Sequence, residues 1–254
     1  MDRRVLSDPT VVAASRDFIC ARLLTYESAE EGKFLESICP TRSGQLENTV
    51  FGFLAPDGVT PLTRMGRGPE HLFQGSSEET GRTMAAAMKE MSAKSPGDST
   101  IARQIPYLVD LRRGLNVAAC DLLPLVVVAA KTPESRRKFE EALAPLAWKS
   151  NFVGRFEYAA VTDSTEVQKL EGATSPEGIF VVEPDAYGQK GKVLSQSSSS
   201  NSADLEKALD AGLKKFVPKS KDSRAHIEAG RRAGVYWKTE IPVTDPHGPP
   251  EGRR

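Results

Sequence analysis

The sequence is poor in sulfur that could work in pairs. Three cysteines, Cys20, Cys39 and Cys120, occur in 254 residues, and no two of them form a CxxC. An odd, scattered set argues against a disulfide framework and against a cysteine-rich zinc site, and it fits a reducing compartment. The three histidines, His71, His226 and His247, stand far apart. None has the i, i+4 or short-loop partner that a metal site uses, so each reads as a single surface residue, and no metal or cofactor is expected. Excess charge is missing too: 34 Lys plus Arg balance 34 Asp plus Glu. A chain without a net field has no general attraction for nucleic acid or for an anionic membrane surface. No apolar run approaches the length of a membrane-spanning helix, and MDRRVLSDPT at the N-terminus carries charge with no apolar stretch behind it. The expectation is a soluble, cytoplasmic protein whose partner is another protein.

What is present is patterned. With 39% hydrophobic residues, the length suits two domains of ordinary size. DPTVVAASRDF reads as a short helix opened by Asp8 with Pro9 at its first position. FICARLLTY is a strand candidate, and SAEEGKFLESI a helix with Ser28 as N-cap and Phe34, Leu35 and Ile38 on one side. NTVFGFLAPDGVTPLTRM predicts two strands around a Pro56-Asp57-Gly58 turn, and SSEETGRTMAAAMKEMSAK a closing helix.

The second half repeats the order. LLPLVVVAA is a buried-strand run, ESRRKFEEALAPLAW a helix with Phe139, Leu143 and Leu146 on one face, and RFEYAAVT a strand. After the short helix STEVQKLEG, GIFVVEPDAYGQKGKVLSQ gives strand, turn and strand, and SADLEKALDAGLKKF closes as a helix. Between the copies, IPYLVDLRRGLNVAACD predicts a helix carrying Leu108, Leu111, Leu115 and Val117 to Ala119 at the seam. The serine-rich SQSSSSN reads as a flexible loop, SRAHIEAGRRAG as a short helix, and PVTDPHGPPEGRR as extended chain. The expected divisions are a first domain over 1–95, a connecting helix segment over 96–121, a second domain over 122–218 and a tail over 219–254.

This order, an α/β layout with a parallel pair and an antiparallel addition, resembles the thioredoxin fold, twice over. The likeness is carried by LVVVAAKTPESRRKFEEAL (125–143) and SPEGIFVVEPD (175–185). In the first copy it is carried by DPTVVAASRDFICARLLTYESAEEGKFLES (8–37) and NTVFGFLAPDG (48–58). The resemblance implies two tandem thioredoxin-like domains, each a mixed sheet flanked by helices. It also implies a CxxC where the first strand meets the first helix, faced by a cis-proline before the hairpin. In the second copy the CxxC positions read Thr132-Pro133-Glu134-Ser135, and Pro176 stands where the cis-proline belongs. A hydroxyl cannot form a disulfide and needs an adjacent base to become a nucleophile, so Thr132 and Ser135 are degenerate active-site positions. Thr132 is equally a sound N-cap, with Pro133 at the first helical position and Glu134 set favourably in the helix dipole.

In the first copy the strand and turn that would hold a CxxC belong before VLSDPT, and Glu47-Asn48-Thr49 replaces the cis-proline. That domain is expected to be truncated at its N-terminus, either as a natural remnant or because the true start lies upstream. In the second case the protein could be secreted or periplasmic. Cys20 is expected to pack inside a strand and Cys120 at the end of the seam helix, which leaves Cys39, with Arg42 nearby, as the one thiol worth testing for reactivity. RMGRGP (64–69) reads as a solvated turn. Arg231, Arg232, Tyr236 and Trp237 form either a protein interface or a cap on the second domain. The function expected is that of a redox-silent thioredoxin-like binding or scaffolding protein. The alternative is a thiol-disulfide oxidoreductase relative whose CxxC lies upstream or that uses a single cysteine.

Overall fold

The computed structural model describes residues 5–25, 28–39, 49–95, 104–219 and 222–236. The chain divides into two compact units, with the boundary between Thr100 and Ile101.

In the first unit, capping chemistry sets the helices. Asp8 accepts the Thr10 N–H at 2.8 Å and opens α1 (Pro9–Ala14), which runs into a 3₁₀ turn, Ser15–Asp17. Ser28 accepts the Glu31 N–H at 3.3 Å and opens α2 (Ala29–Ile38). After the single-turn α3 (Pro69–Leu72), helix α4 (Ser77–Lys94) begins with a reciprocal capping box between Ser76 and Glu79. Between α2 and α3 the chain turns at Asp57, whose carboxylate accepts the N–H groups of Val59 and Thr60 at 3.0 and 2.9 Å. The arms of this hairpin meet at two antiparallel bridges, Phe51 with Gly66 and Leu54 with Pro61. The core joins Val5, Val11 and Ala14 to Phe53, Phe73, Met84, Ala85 and Met88.

The strand expected over FICARLLTY is not formed. No strand among the described residues pairs with it, and Ile19 is 99% exposed. Apolar content favours a strand only where a neighbouring strand supplies hydrogen bonds and a packing face. Among the described residues the first unit therefore has no extended sheet, only the bridged hairpin.

The second unit is mixed α/β. A four-stranded sheet has the order β2-β1-β3-β4, from β1 (Leu125–Ala129), β2 (Glu157–Val161), β3 (Gly178–Pro184) and β4 (Gly191–Ser197). β1 runs parallel to β2 and antiparallel to β3, and β3 runs antiparallel to β4 with an irregularity between Val181 and Val182. Helices flank it: α5 (Leu111–Asp121), α6 (Pro133–Ala147), α7 (Ser164–Val167) and α8 (Ser202–Lys215), followed by α9 (Ser223–Arg232).

Period-two alternation sends Val126, Val128, Ile179 and Val181 to one face, where Phe139 and Leu143 of α6 meet Leu205 and Leu209 of α8. Leu125, Val127, Phe180 and Val182 go to the other, under Leu111, Leu115 and Ala118 of α5. Every residue of β1 is fully buried, which explains its unbroken apolar sequence. α5 can lie this close because of Gly114: a Cβ there would sit 2.9 Å from the Ala159 Cβ.

The helix expected at a seam between domains is thus part of the second unit, and it starts later than its apolar pattern suggests. Asp110 caps it by accepting the Arg113 N–H at 2.6 Å. Leu108 lies outside it and bridges in parallel to Ala159, with its N–H donating to the Tyr158 carbonyl at 2.9 Å. No helix among the described residues is long and apolar enough to cross a membrane.

Candidate functional site

At the C-terminal end of β1 the chain passes through Ala130 and Lys131 into α6. Thr132 adopts an extended backbone, φ −120°, and its hydroxyl accepts the Ser135 N–H at 3.1 Å, with Pro133 next in line. The hydroxyl is committed to starting the helix. Ser135 Oγ in turn donates to Glu177 Oε2 at 3.2 Å, and the Lys131 N–H donates to the same oxygen at 3.3 Å. The Lys131 ammonium lies 3.8 Å from Glu177 Oε1. One carboxylate, carried by the segment that leads into β3, therefore ties together both sides of the β1–α6 turn.

Glu177 is itself held. Ser175 Oγ donates to the Glu177 carbonyl at 2.6 Å and accepts the Glu177 N–H at 3.3 Å, closing a small turn around the exposed Pro176. The cis bond expected before Pro176 is absent, as no described peptide bond is cis. The tertiary amide keeps its ordinary trans preference, and the serine hydroxyl closes the turn without it. Chemically the cluster is a clasp. It holds no thiol, and the carboxylate beside Ser135 is already shared with an N–H and an ammonium, which makes it a poor base for a hydroxyl.

The cysteines lie elsewhere. Cys20, expected inside a strand, is exposed on the unpaired segment, and its Sγ approaches the Ser15 carbonyl at 3.9 Å. Partial burial of the sulfur raises its thiol pKa, which opposes reactivity. Cys120, expected to pack, is also exposed: the buried stripe of α5 takes Gly114, Leu115 and Val117 to Ala119 and leaves position 120 on the outer side. Cys39 is half-buried at the C-cap of α2, donating its backbone N–H to the Leu35 carbonyl. Arg42, Glu47 and Asn48 lie outside the described residues. None of the three cysteines forms a disulfide. Among the described residues no group of His, Cys, Asp and Glu is arranged to hold a metal ion.

Arg231 and Arg232 occupy the exposed last turn of α9, where cations suit the helix dipole, and Tyr236 is 69% exposed. Trp237 lies outside the described residues. This group is not brought to Thr132, Ser135 and Pro176. The register pairs Ala129 with Gly178 at one end of the sheet and Leu125 with Val182 at the other, and α9 contacts the turn beyond that second end. In the RMGRGP turn, the Arg64 guanidinium donates to the His71 carbonyl.

A cleft of about 810 Å³ opens at this second end, between the end of α5, the β3–β4 turn and α9. The turn is built on Asp185, whose carboxylate accepts the N–H groups of Tyr187 and Gln189 at 3.0 and 2.9 Å. Gly188, with φ +64°, brings the turn against α5. The Tyr187 ring stacks on the His226 imidazole of α9, centroids 4.4 Å apart and planes 16° from parallel, and its hydroxyl donates to the His226 carbonyl at 3.1 Å. From sequence His226 reads as a single surface histidine and Tyr187 has no role; their stacking is not foreseen, because 39 positions separate them and neither belongs to a local motif.

No protein-family model matches the chain, and no curated protein or solved structure is similar to it.

Proposed function

We propose that the protein is a redox-silent, thioredoxin-like binding or scaffolding protein that carries out no disulfide exchange of its own. The reading is supported in the second unit by element order. A bridging segment at Leu108 precedes α5, then β1, α6, β2, α7, β3, β4 and α8, with β1 parallel to β2 and antiparallel to β3. From β1 to α8 this is the order that the resemblance implies; the Leu108 bridge and α5 lie outside it. For residues 1–95 the likeness rests on sequence pattern.

The observation that carries the functional reading is the hydrogen bond from Ser135 Oγ to the Glu177 carboxylate. It closes the turn where a reactive pair would have to stand, and it does so with oxygen in place of sulfur. Disulfide exchange proceeds by thiolate attack on a disulfide sulfur through a mixed disulfide, and no atom of this clasp can enter that sequence. What remains is a rigid sheet whose turns and helix faces are available to a protein partner.

The test is insulin reduction with dithiothreitol as the thiol source. The expected rate of precipitation equals that of dithiothreitol alone. Acceleration by the purified protein would overturn the proposal, and loss of that acceleration in Cys39→Ser would assign the activity to a single-cysteine oxidoreductase.

A further inference from the structure

We propose that the outer face of α9 is a docking surface for an acidic protein segment that carries an apolar side chain among its carboxylates. This rests on the reading of the protein as a binding module and names the chemistry of its partner. The clasp at the β1–α6 turn has no part in it, since α9 contacts the turn beyond the other end of the sheet.

The balance of charge along the whole chain conceals a local excess. Over the described residues from Ala211 to Tyr236, six cations stand against two carboxylates, Asp222 and Glu228. Asp210, one turn before Lys214 in α8, reduces the excess from four to three. The neighbouring cleft does not reduce it further, because its lining residues outside this stretch are three lysines and three carboxylates. Arg231 and Arg232 have no carboxylate within ion-pair distance among the described residues. Arg224 lies 3.9 Å from Glu228, but its side chain is 92% exposed, so water screens the pair and an incoming carboxylate can share the guanidinium.

Helix geometry sets an apolar residue among these charges. Arg224 precedes Ile227 by three positions and Arg231 follows it by four, so the three side chains share one face of α9. Ile227 is 52% exposed. Cations in a last turn suit the helix dipole, but the dipole gives no reason for an isoleucine beside them. The helix cannot roll to bury it, because the face bearing His226 and Gly230 is already taken. His226 stacks on Tyr187, and a Cβ on Gly230 would come within 2.9 Å of Cε1 of that ring. Both ends of α9 are closed as well. Asp222 accepts the Ala225 N–H at 2.7 Å, and the Val235 N–H donates to the Gly230 carbonyl at 2.9 Å across Gly234, which has φ +68°.

Charge and apolar surface together select the occupant. A phosphate backbone would satisfy the arginines and leave Ile227 in water. A bilayer surface takes a helix by a broad apolar face, and the outer face of α9 has one large apolar side chain. A protein segment with Asp and Glu around a Leu or Phe meets both features, and arginine is among the residues that anchor protein interfaces.

The test is fluorescence anisotropy of a fluorescein-labelled peptide, Glu-Glu-Asp-Leu-Glu-Glu-Phe-Asp-Glu-Glu, titrated with the full-length protein. Comparison ligands are the same peptide with Ser in place of Leu and Phe, an oligothymidylate, and phosphatidylserine vesicles. The first peptide is expected to bind tightest, and more weakly as salt is raised. Arg231→Glu combined with Arg232→Glu should lower its affinity about tenfold or more. The neutral pair Arg231→Gln and Arg232→Gln, which spares the helix two new carboxylates in its last turn, should lower it about fivefold. Ile227→Ser should also cost about fivefold. Arg137→Glu with Lys138→Glu on the exposed side of α6 makes the same change in net charge and should leave the affinity within about twofold. Absence of binding, an affinity unmoved by either arginine pair, an equal loss from the α6 pair, or equal affinity for the serine-containing peptide would overturn the proposal. Tighter binding of the oligothymidylate or of the vesicles would overturn it in favour of a nucleic-acid or a membrane surface. None of these outcomes alters the expected rate of insulin reduction, so failure of the docking surface and failure of the redox-silent reading are told apart.

Discussion

Gly188→Ala, set beside Gly154→Ala, tests how the β3–β4 turn is held to α5. Both glycines have nearly the same left-handed backbone, φ +64° and +72°, and both lie in the second unit. Their surroundings differ. A Cβ on Gly154 meets nothing within 4 Å, whereas one on Gly188 would lie 2.4 Å from the Asn116 Cα, 2.7 Å from its N and 2.8 Å from the Leu115 carbonyl oxygen. Those are backbone atoms of α5, so no side-chain rotation relieves the overlap. The conformational cost of alanine at positive φ, about 1 kcal/mol, is common to both variants. Forced overpacking adds about 1–3 kcal/mol at Gly188 only. Gly154→Ala should therefore cost about 1 kcal/mol and Gly188→Ala about 2–4 kcal/mol. With a urea dependence of about 1–3 kcal/mol per molar, the difference lowers the midpoint by roughly 1 M. Trp148 fluorescence in a Trp237→Phe background reports the second unit alone, since Trp148 and Trp237 are the two tryptophans of the chain. Equal midpoints for the two variants would refute the close approach, and with it the wall that the turn gives the cleft.

Three further outcomes follow from local contacts. Thr132→Ala removes the cap of α6 and should cost about 1 kcal/mol in urea unfolding, with Thr132→Ser close to wild type. The Tyr107 and Tyr158 hydroxyls are buried without a hydrogen-bond partner among the described residues, and burial pushes both phenol pKa values far up. Tyr107→Phe should then be neutral or stabilising by about 1 kcal/mol, and a clear loss would reveal a partner for the oxygen. In acid, Asp8, Asp57, Glu79 and Asp163 are all held below the usual carboxylate range. The causes are, in turn, the Thr10 hydroxyl, the Thr60 hydroxyl, the Ser76 N–H and the Thr165 N–H. Depressed folded values mean that this stability is present above the unfolded pKa and is lost as pH falls through the folded ones. The melting temperature should be flat from neutral pH down to about 5 and drop below about 4. A decline already between pH 7 and 5 would contradict it.

Local chemistry was the most legible part of the chain. Asp8, Ser28 and Thr132 announce their helices because a cap and its N–H partner lie within three residues. The runs around Val126 and Val181 announce central strands because burial on both faces leaves no room for polar residues. The failures concern pairing at a distance. Phe18 to Leu24 has strand composition and no strand partner among the described residues, while Leu108 looks like the start of a helix and instead bridges to Ala159. The same limit applies to the sites. Thr132 and Ser135 can be read from a turn, but the Glu177 clasp spans 42 positions and depends on how β1 and β3 are registered. Tyr187 and His226 meet only after the β3–β4 turn has folded onto α5.

The two cores also differ in a way that bears on chemical ageing. All five methionines of the chain, Met1, Met65, Met84, Met88 and Met91, fall before the unit boundary, and two of them sit in the buried cluster of the first unit. The two clusters that sandwich the sheet contain neither thioether nor thiol. Peroxide converts a methionine into a polar sulfoxide that no apolar core accommodates well, so oxidative damage accumulates in the packing of the first unit. The interior of the sheet unit offers such an oxidant no sulfur, and the cleft it supports would outlast the helical half of the same molecule.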